Sequence, residues 1–396
     1  MSQLEHGSPV KTPIILAKHE KSSASSGEMR VTGRLWKPTE GDGRGVNVPK
    51  HAIPNLLQSG ELPAPPPTYK IRQRNDMKPG LAGSDWTKSV PQHSAVKIVD
   101  GSMNWCGESL FEFLTDNNEY RVIGVLGTEG VGKTHAMNLL ATHPKKEPFP
   151  FAPELNEYGC EGVGHTTQGI NAFITSERVI LLDCQPIFST SVLHSVINNE
   201  RNSKFTSDYS NREDMCDSAN LELVMFILSV CHIVLVVENW FTDPNLHRIL
   251  QSVEMLKPPQ LSNDKPDDHN EFKSKIVFIN NSCAIDRLDE SEMKLMETCL
   301  TQIYSKSSLC IYRRGPGGDV KVTPLAKESS STSPCPNSSI SEGLNRKFVE
   351  ETMAMPISPV LSHTTLSERN WFQYAAKMWE AVRKSPFISE YMRLLI

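Results

Sequence analysis

The sequence predicts an α/β fold with a mostly parallel sheet that is flanked by helices on both faces. Two observations predict it. From Val96 onward, apolar runs rich in β-branched residues alternate with helical patterns, which is typical of parallel sheets built from βαβ units. A glycine-rich segment, GTEGVGKT at residues 127–134, stands between one such apolar run and a helical pattern. Strand, glycine-rich loop and helix in that order indicate a phosphate-binding loop.

The individual elements follow from hydrophobic periodicity and from turn residues. Residues 171–175 and 178–183 are separated only by Ser176 and Glu177, which favours a hairpin. The predicted strands are 96–100, 120–127, 171–175, 178–183, 232–238, 275–281 and 308–313, and the predicted helices are 104–114, 131–142, about 217–230, 245–257 and about 288–305. Together they form one predicted domain over residues 93–313.

The remaining segments differ in composition. Residues 1–92 hold 11 of the 27 prolines and show no sustained period, so they are predicted to be a disordered arm. Within it, KTPIILAK (11–18) and PTYKIRQRN (67–75) are either incidental apolar sequence or segments that become ordered on a partner. The Gly-, Pro- and Ser-rich residues 314–342 are predicted to be a flexible insertion.

Residues 343–396 are predicted to complete the domain with C-terminal helices. Ser367 is the expected N-cap of a terminal helix that packs back on the sheet. The apolar stripe of that helix consists of Trp371, Ala375, Met378 and Val382.

Composition and charge exclude several classes of protein. With 41 Lys+Arg against 46 Asp+Glu, the 396-residue chain has a net charge of −5, so no direct sequence-specific binding to nucleic acid is expected. Nine scattered cysteines without a C-x-x-C pair indicate a reducing compartment, and no apolar leader opens the sequence. The apolar residues 221–237 carry Glu222 and His232, which favours a buried helix and strand over a membrane span. We expect a cytoplasmic protein.

The glycine-rich segment matches the G-x-x-x-x-G-K-[ST] pattern of P-loop NTPases. Gly127 and Gly132 allow a tight turn around a phosphate, and the amides that follow point inward at the start of a helix. Lys133 supplies an ammonium for the β and γ oxygens. Glu129 disfavours an anion unless its side chain points away. The predicted nucleotide-binding residues are Gly127, Thr128, Glu129, Gly130, Val131, Gly132, Lys133, Thr134 and Asn281.

Three residues are predicted to bind Mg²⁺. The hydroxyl of Thr134 is one ligand, and Asp183, at the end of a strand, is the carboxylate that reaches the ion. Loop, threonine, hairpin and aspartate occur in the order of a G domain, so Thr167 is the candidate switch residue, with Thr166 a close alternative. The expected cofactors are GTP, GDP or ATP, with Mg²⁺.

The residues expected to support nucleotide hydrolysis and base recognition depart from the G-domain pattern. Asp183 is followed by Cys184, Gln185, Pro186 and Ile187, so proline replaces the glycine whose amide contacts the γ-phosphate. Ile187 stands where a glutamine orients water, and Gln185 lies two places too early.

The guanine-reading motif is also incomplete. Asn281 is present, but Ala284 replaces the aspartate that accepts two hydrogen bonds from guanine. Losing a charged acceptor costs about 1.5 to 3 kcal/mol, which leaves adenine as a plausible base.

These departures predict nucleotide binding without efficient turnover, and therefore a non-catalytic protein. Two alternatives stay open: a GTPase completed by a residue from a partner, and a small-molecule kinase. A kinase would use an arginine-bearing lid, and Arg313 and Arg314, at the edge of the predicted insertion, are poorly placed for one.

Several segments resemble one family, that of subunit nine of the SMG kinase complex, a regulator of nonsense-mediated mRNA decay. They are KTPIILAK, PTYKIRQRN, VKIVDGSMNWCGES, VIGVLGTEGVGKT, SVCHIVLVVENWFTD and LSHTTLSERNWFQYAAKMWEAVRK. The resemblance implies a G-like domain that pairs with a second G-like subunit, number eight. It also implies docking on a large phosphatidylinositol-3-kinase-related kinase that phosphorylates the helicase Upf-one. A guanine or adenine nucleotide in residues 127–134 is a further implication.

Overall fold

The computed structural model describes residues 92–142, 149–152, 165–202, 212–239, 241–256, 272–282, 290–326, 338–360 and 366–395. The chain divides into two units, residues 1–78 and 79–396, and the described residues all belong to the second. The predicted arm up to residue 91, with both of its short segments, lies outside the described residues, as does Ala284.

The centre of the structure is an eight-stranded, mostly parallel sheet. Its order is β1-β3-β4-β2-β5-β6-β7, and β8 also pairs with β6. Among the described strands, the β1/β3 and β3/β4 pairs are antiparallel and the other pairs are parallel. The strands are β1 (Val96–Val99), β2 (Arg121–Leu126), β3 (Ile170–Ile174), β4 (Val179–Cys184), β5 (Ile233–Glu238), β6 (Lys275–Ser282), β7 (Cys310–Ile311) and β8 (Val322–Ala326).

Helices cover both faces of this sheet, as the sequence predicts. Alternate residues of β2 contribute to opposite layers of the core: Val122 belongs to the cluster that contains Phe226 and Trp371, and Ile123 to the cluster that contains Phe348. The helices are a 3-10 helix (Gly107–Phe113), α1 (Lys133–Ala141), α2 (Thr190–Asn202), α3 (Arg212–Val230), α4 (Pro244–Leu256), α5 (Glu290–Ile303), α6 (Ser338–Ala354), α7 (Glu368–Arg383) and α8 (Pro386–Leu395).

The long apolar stretch at 221–237 divides between a helix and a strand. Helix α3 ends at Val230 and β5 begins at Ile233, and both are buried. Within the described ranges, no helix combines the length and apolar content needed to cross a membrane.

The predicted hairpin forms between β3 and β4, where Phe173 pairs with Leu181. Two helices differ from their predicted bounds by three residues or more. The segment 104–114 is helical only over the 3-10 turns, because Trp105 forms an isolated bridge with Val99. Helix α3 begins at Arg212, five residues before the predicted start. The prediction placed the start too late because the first turns of the helix are polar and show no apolar periodicity.

The prediction of a flexible insertion at 314–342 is wrong for its described part. A turn at 314–319 leads into β8, which pairs with β6 from Phe278↔Val322 to Ser282↔Ala326. Residues 338–342 already belong to α6, and only 327–337 lie outside the described residues. The apolar pattern of the strand was hidden by its Gly-, Pro- and Ser-rich surroundings.

The outer edge of β8 is closed by side chains. The amide of Val322 donates to Glu297 Oε1 at 3.2 Å, and that of Ala326 donates to Asn345 Oδ1 at 3.1 Å. Between them Pro324 has no amide hydrogen. Helices α5 and α6 therefore satisfy the donors that β8 does not direct at β6.

Helix α7 packs on α3, and its N-cap is confirmed: the Ser367 hydroxyl accepts a hydrogen bond from the Asn370 amide. The indole Nε1 of Trp371, a side chain with 1% exposure, donates to the Val230 carbonyl at 2.9 Å. At the start of the helix, buried Glu368 forms an ion pair with Arg178 in the β3–β4 turn. The C-terminal helices therefore belong to the same core as the sheet.

A buried histidine links β2 to the start of β5. The Val122 amide donates to His232 Nδ1 at 2.9 Å, and the His232 amide donates to the Val122 carbonyl at 2.9 Å. Burial, aided by the nearby charge of Arg121, lowers the pKa of His232 to about 4. The ring is therefore neutral at pH 7 and has to lose the Val122 hydrogen bond if Nδ1 is protonated.

This histidine predicts a loss of stability in mild acid. The unfolded histidine has a pKa of about 6.5, so between pH 6.5 and 4 the unfolded chain binds the extra proton and the free energy of unfolding falls by about 1.4 kcal/mol per pH unit. His232→Asn keeps an acceptor near Nδ1 and removes the titration. Urea unfolding at pH 7 and pH 5 should show about 2 kcal/mol less acid destabilisation for this variant than for the parent chain. Replacing exposed His93 with Asn is the control, and equal pH dependence in both variants would contradict the assignment.

Candidate functional site

The glycine-rich loop lies at the carboxyl end of β2, between the neighbouring strands β4 and β5. Gly132 closes it in a left-handed conformation with φ +92°, and the Gly132 carbonyl accepts the first bond of α1 from Ala136 at 3.1 Å. The loop therefore ends on the positive end of a helix, which favours an anion there.

The side chain of Asn281 contacts this loop from the carboxyl end of β6. Its side-chain amide donates to the Val131 carbonyl at 2.8 Å, and the residue is 2% exposed at the carboxyl end of β6. A Cβ on Gly132 would lie 2.0 Å from Asn281 Nδ2, so only glycine leaves room for this contact. Asn281, which was predicted to bind the nucleotide, therefore contacts the loop. Its contact with a base stays a prediction.

Lys133 extends across the loop and is 7% exposed. Its ammonium donates to the Thr128 carbonyl at 2.8 Å. Burial lowers the pKa of Lys133 to about 8, while the charges of Asp183 and Glu129 oppose that shift. A cation in a poorly solvated position gains more from an incoming phosphate than an exposed one does.

The three predicted metal ligands lie together. The hydroxyls of Thr134 and Thr167 both donate to Asp183 Oδ2, at 2.8 and 2.9 Å, and the two hydroxyl oxygens are 3.4 Å apart. Thr167 is 4% exposed and takes this place, whereas Thr166 is exposed to solvent. Two hydroxyls and one carboxylate are the oxygen ligands that Mg²⁺ prefers, so the residues present fit the ion. A bound Mg²⁺ would neutralise phosphate charge at this point.

The residues after Asp183 form hydrogen bonds with the residue before β3 and with the glycine-rich loop. Gln185 Oε1 accepts from the Gly169 amide at 2.8 Å, and the Gln185 amide donates to the Gly169 carbonyl at 2.7 Å. Ile187 is fully buried, and its amide donates to the Gly127 carbonyl at 3.2 Å. Pro186 stands between them without an amide hydrogen. Gln185 is thus tied to the base of the hairpin and Ile187 is packed in the core.

Glu129 has contacts that the sequence did not predict. Its Oε2 accepts from the hydroxyls of Ser189 at 2.6 Å and Ser191 at 2.9 Å. Ser189 also accepts from the Val192 amide at 3.3 Å, as an N-cap of α2 does, and Ser191 contacts both the backbone and the ring of His165. A serine before a helical pattern is a capping signal. The sequence does not show which carboxylate its hydroxyl will hydrogen-bond to.

The strand order, the antiparallel hairpin that carries Asp183 and the glycine-rich turn between β2 and α1 define a P-loop NTPase fold of the G-domain type. The curated relatives agree in pointing to one family. "Nonsense-mediated mRNA decay factor SMG9" of Salmo salar is 33% identical, over 97% of this chain and 88% of that protein. This chain belongs to the SMG9 family of nonsense-mediated mRNA decay factors.

Other comparisons extend this result. The family model described as Smg8_Smg9 matches residues 115–267. The SMG9 of Xenopus laevis is 32% identical, over 97% of this chain and 87% of that protein. Among solved structures, translation elongation factor SelB from Methanococcus maripaludis, in complex with the GTP analogue GppNHp, covers 61% of this chain and 35% of that chain at 10% identity. The TM-score of this match is 0.29.

The loop geometry predicts that Gly132→Ala is more damaging than Gly130→Ala. Both residues have positive φ, +92° and +75°, but a Cβ on Gly130 meets nothing within 4 Å. Left-handed strain should cost about 1 to 2 kcal/mol in each variant, and the clash with Asn281 about 1 to 3 kcal/mol more in Gly132→Ala. Denaturant unfolding of both variants measures the difference, and equal losses of stability would show that Asn281 does not brace the loop.

Proposed function

We propose that this protein is a non-catalytic, nucleotide-binding regulatory subunit that acts in nonsense-mediated mRNA decay. Binding is supported by the loop from Gly127 to Gly132, by Lys133 and by the hydroxyls gathered on Asp183. A nucleotide with Mg²⁺ in this loop stabilises the domain by mass action and so serves as a structural element. GTP, GDP and ATP are the candidate ligands.

The observation that carries the non-catalytic part is the buried position of Ile187. Its side chain has 0% exposure, and its amide is bonded to Gly127, at the position where a hydrolase orients water. Gln185, the nearest glutamine, already bonds to Gly169. Neither residue supplies a water-positioning group in this arrangement.

The proposed partners are the second G-like subunit, number eight of the SMG complex, and the large phosphatidylinositol-3-kinase-related kinase that acts on Upf-one. The joint Smg8_Smg9 family model over residues 115–267 supports the first partner. The kinase partner and a cytoplasmic location rest on family membership. In this proposal the pair of G-like domains restrains and positions the kinase.

One alternative is favoured by a specific observation. Thr134, Thr167 and Asp183 retain the ligand arrangement of an active P-loop enzyme. If subunit eight supplied the missing water-positioning group, the pair would be a GTPase completed by its partner.

Lys133→Ala should abolish nucleotide retention because it removes the ammonium that faces the phosphates. The measurement is mass spectrometry of the small molecules released from the purified full chain. The matched control is Lys377→Ala, at an exposed lysine of α7. An unchanged nucleotide content in Lys133→Ala, together with unchanged assembly with subunit eight, would mean that the phosphate site is wrongly assigned.

The isolated chain should hydrolyse GTP and ATP slowly or not at all, and adding subunit eight should leave the rate unchanged. Single-turnover assays with labelled GTP and ATP, with and without the partner, measure both rates. Strong stimulation by the partner would favour the partner-completed GTPase. Fast hydrolysis by the chain alone would contradict both the non-catalytic subunit and the partner-completed GTPase.

A further inference from the structure

The third residue of the phosphate loop is a glutamate, and the structure fixes its carboxylate in place. Glu129 is exposed to solvent, but its Oε2 accepts hydrogen bonds from Ser189 at 2.6 Å and from Ser191 at 2.9 Å. Hydrogen bonds to an ionised acceptor are stronger than neutral ones. The side chain is therefore held toward the start of α2 instead of extending freely into water.

That direction places the carboxylate beside the segment that follows Asp183. The Ile187 amide is bonded to the Gly127 carbonyl at 3.2 Å, and Ser189 lies two residues further on. In P-loop proteins of this type, the segment after the strand-end aspartate approaches the terminal phosphate of a triphosphate. The negative charge of Glu129 thus stands at the γ-phosphate end of the loop.

The charges at this end are unbalanced. The Lys133 ammonium donates to the carbonyl of Thr128, which precedes Glu129, and Asp183 accepts from the hydroxyl of Thr134, which follows Lys133. Among the described residues of this site, two carboxylates therefore lie near one ammonium. A diphosphate bound by the loop amides and Lys133 would lack the terminal phosphoryl group, whose negative charge Glu129 would oppose in a triphosphate.

We infer that Glu129 is a specificity-determining residue, which makes the loop select nucleoside diphosphates over nucleoside triphosphates. The inference rests on the proposed nucleotide-binding function and names the class of ligand for the same site. Ser189 and Ser191 are positioning residues in this account, since they hold the carboxylate at the γ-phosphate end.

The test is calorimetric titration of the nucleotide-free full chain with ADP, ATP, GDP and GTP, each with Mg²⁺. The parent chain should bind the diphosphate of each base about ten-fold more tightly than the triphosphate. Glu129→Gln keeps an oxygen that accepts from the two serines and removes the charge. It should raise triphosphate affinity about five-fold and change diphosphate affinity less than about two-fold, since the carboxylate is exposed and screened.

The control is Glu177→Gln, which removes an exposed carboxylate from the β3–β4 turn, at the opposite end of β4 from Asp183. It should leave all four affinities unchanged. Raising the ionic strength should shrink the gain of Glu129→Gln, because screening weakens interactions between exposed charges. Parallel titrations of Ser189→Ala with Ser191→Ala should show a smaller gain in triphosphate affinity than Glu129→Gln, because the charge is released but not removed.

Equal affinities for di- and triphosphates in the parent chain overturn this inference while leaving the proposed function intact. A gain of equal size for both ligand classes in Glu129→Gln also overturns it, because Glu129 would then oppose anions in general. If none of the four nucleotides binds, the proposed function falls together with the inference.

Discussion

A single carboxylate oxygen joins three segments that are far apart in the sequence. Asp183 Oδ2, at the end of β4, accepts the hydroxyl hydrogens of Thr134 at the start of α1 and Thr167 before β3. Asp183 is 1% exposed, so these charge-assisted hydrogen bonds form where water competes little. Without the oxygen, two sheltered hydroxyls would lose their acceptor, and the loop, the helix and the hairpin would no longer be held to one another.

The two ends of the site are held by different kinds of contact. At the inner end, Asn281 and the amides around Gly132 form a polar cradle whose shape depends on the absence of a side chain. At the outer end, the amide of buried Ile187 donates to the Gly127 carbonyl, and Glu129 accepts hydrogen bonds from the hydroxyls of Ser189 and Ser191. The first arrangement suits an anion, whereas in the second the Ile187 side chain has no polar group and Glu129 carries a negative charge. The residues proposed to hold a phosphate chain and the position where a hydrolase orients water therefore lie in separate parts of the site.

The sequence predicted those features that local patterns encode. The hairpin, the glycine-rich turn into α1 and the Ser367 cap each depend on a few neighbouring residues, and all three appear in the structure. Thr167 could not be separated from Thr166 by pattern, because burial against Asp183 distinguishes them. The contact between Glu129 and Ser189 joins residues 60 positions apart in the sequence. Hydrophobic periodicity is a local pattern and does not predict a contact over that separation. Strand β8 was missed because its pairing with β6 outweighs the composition around it.

The closed edge of β8 has a consequence for behaviour at high local concentration. Exposed strand edges are templates on which a second chain can polymerise, and crowded multi-subunit particles increase the risk. Here Glu297 and Asn345 occupy two amide donors and Pro324 removes a third. A foreign strand arriving at the edge of β8 finds none of those three donors free, which disfavours its addition to the sheet there.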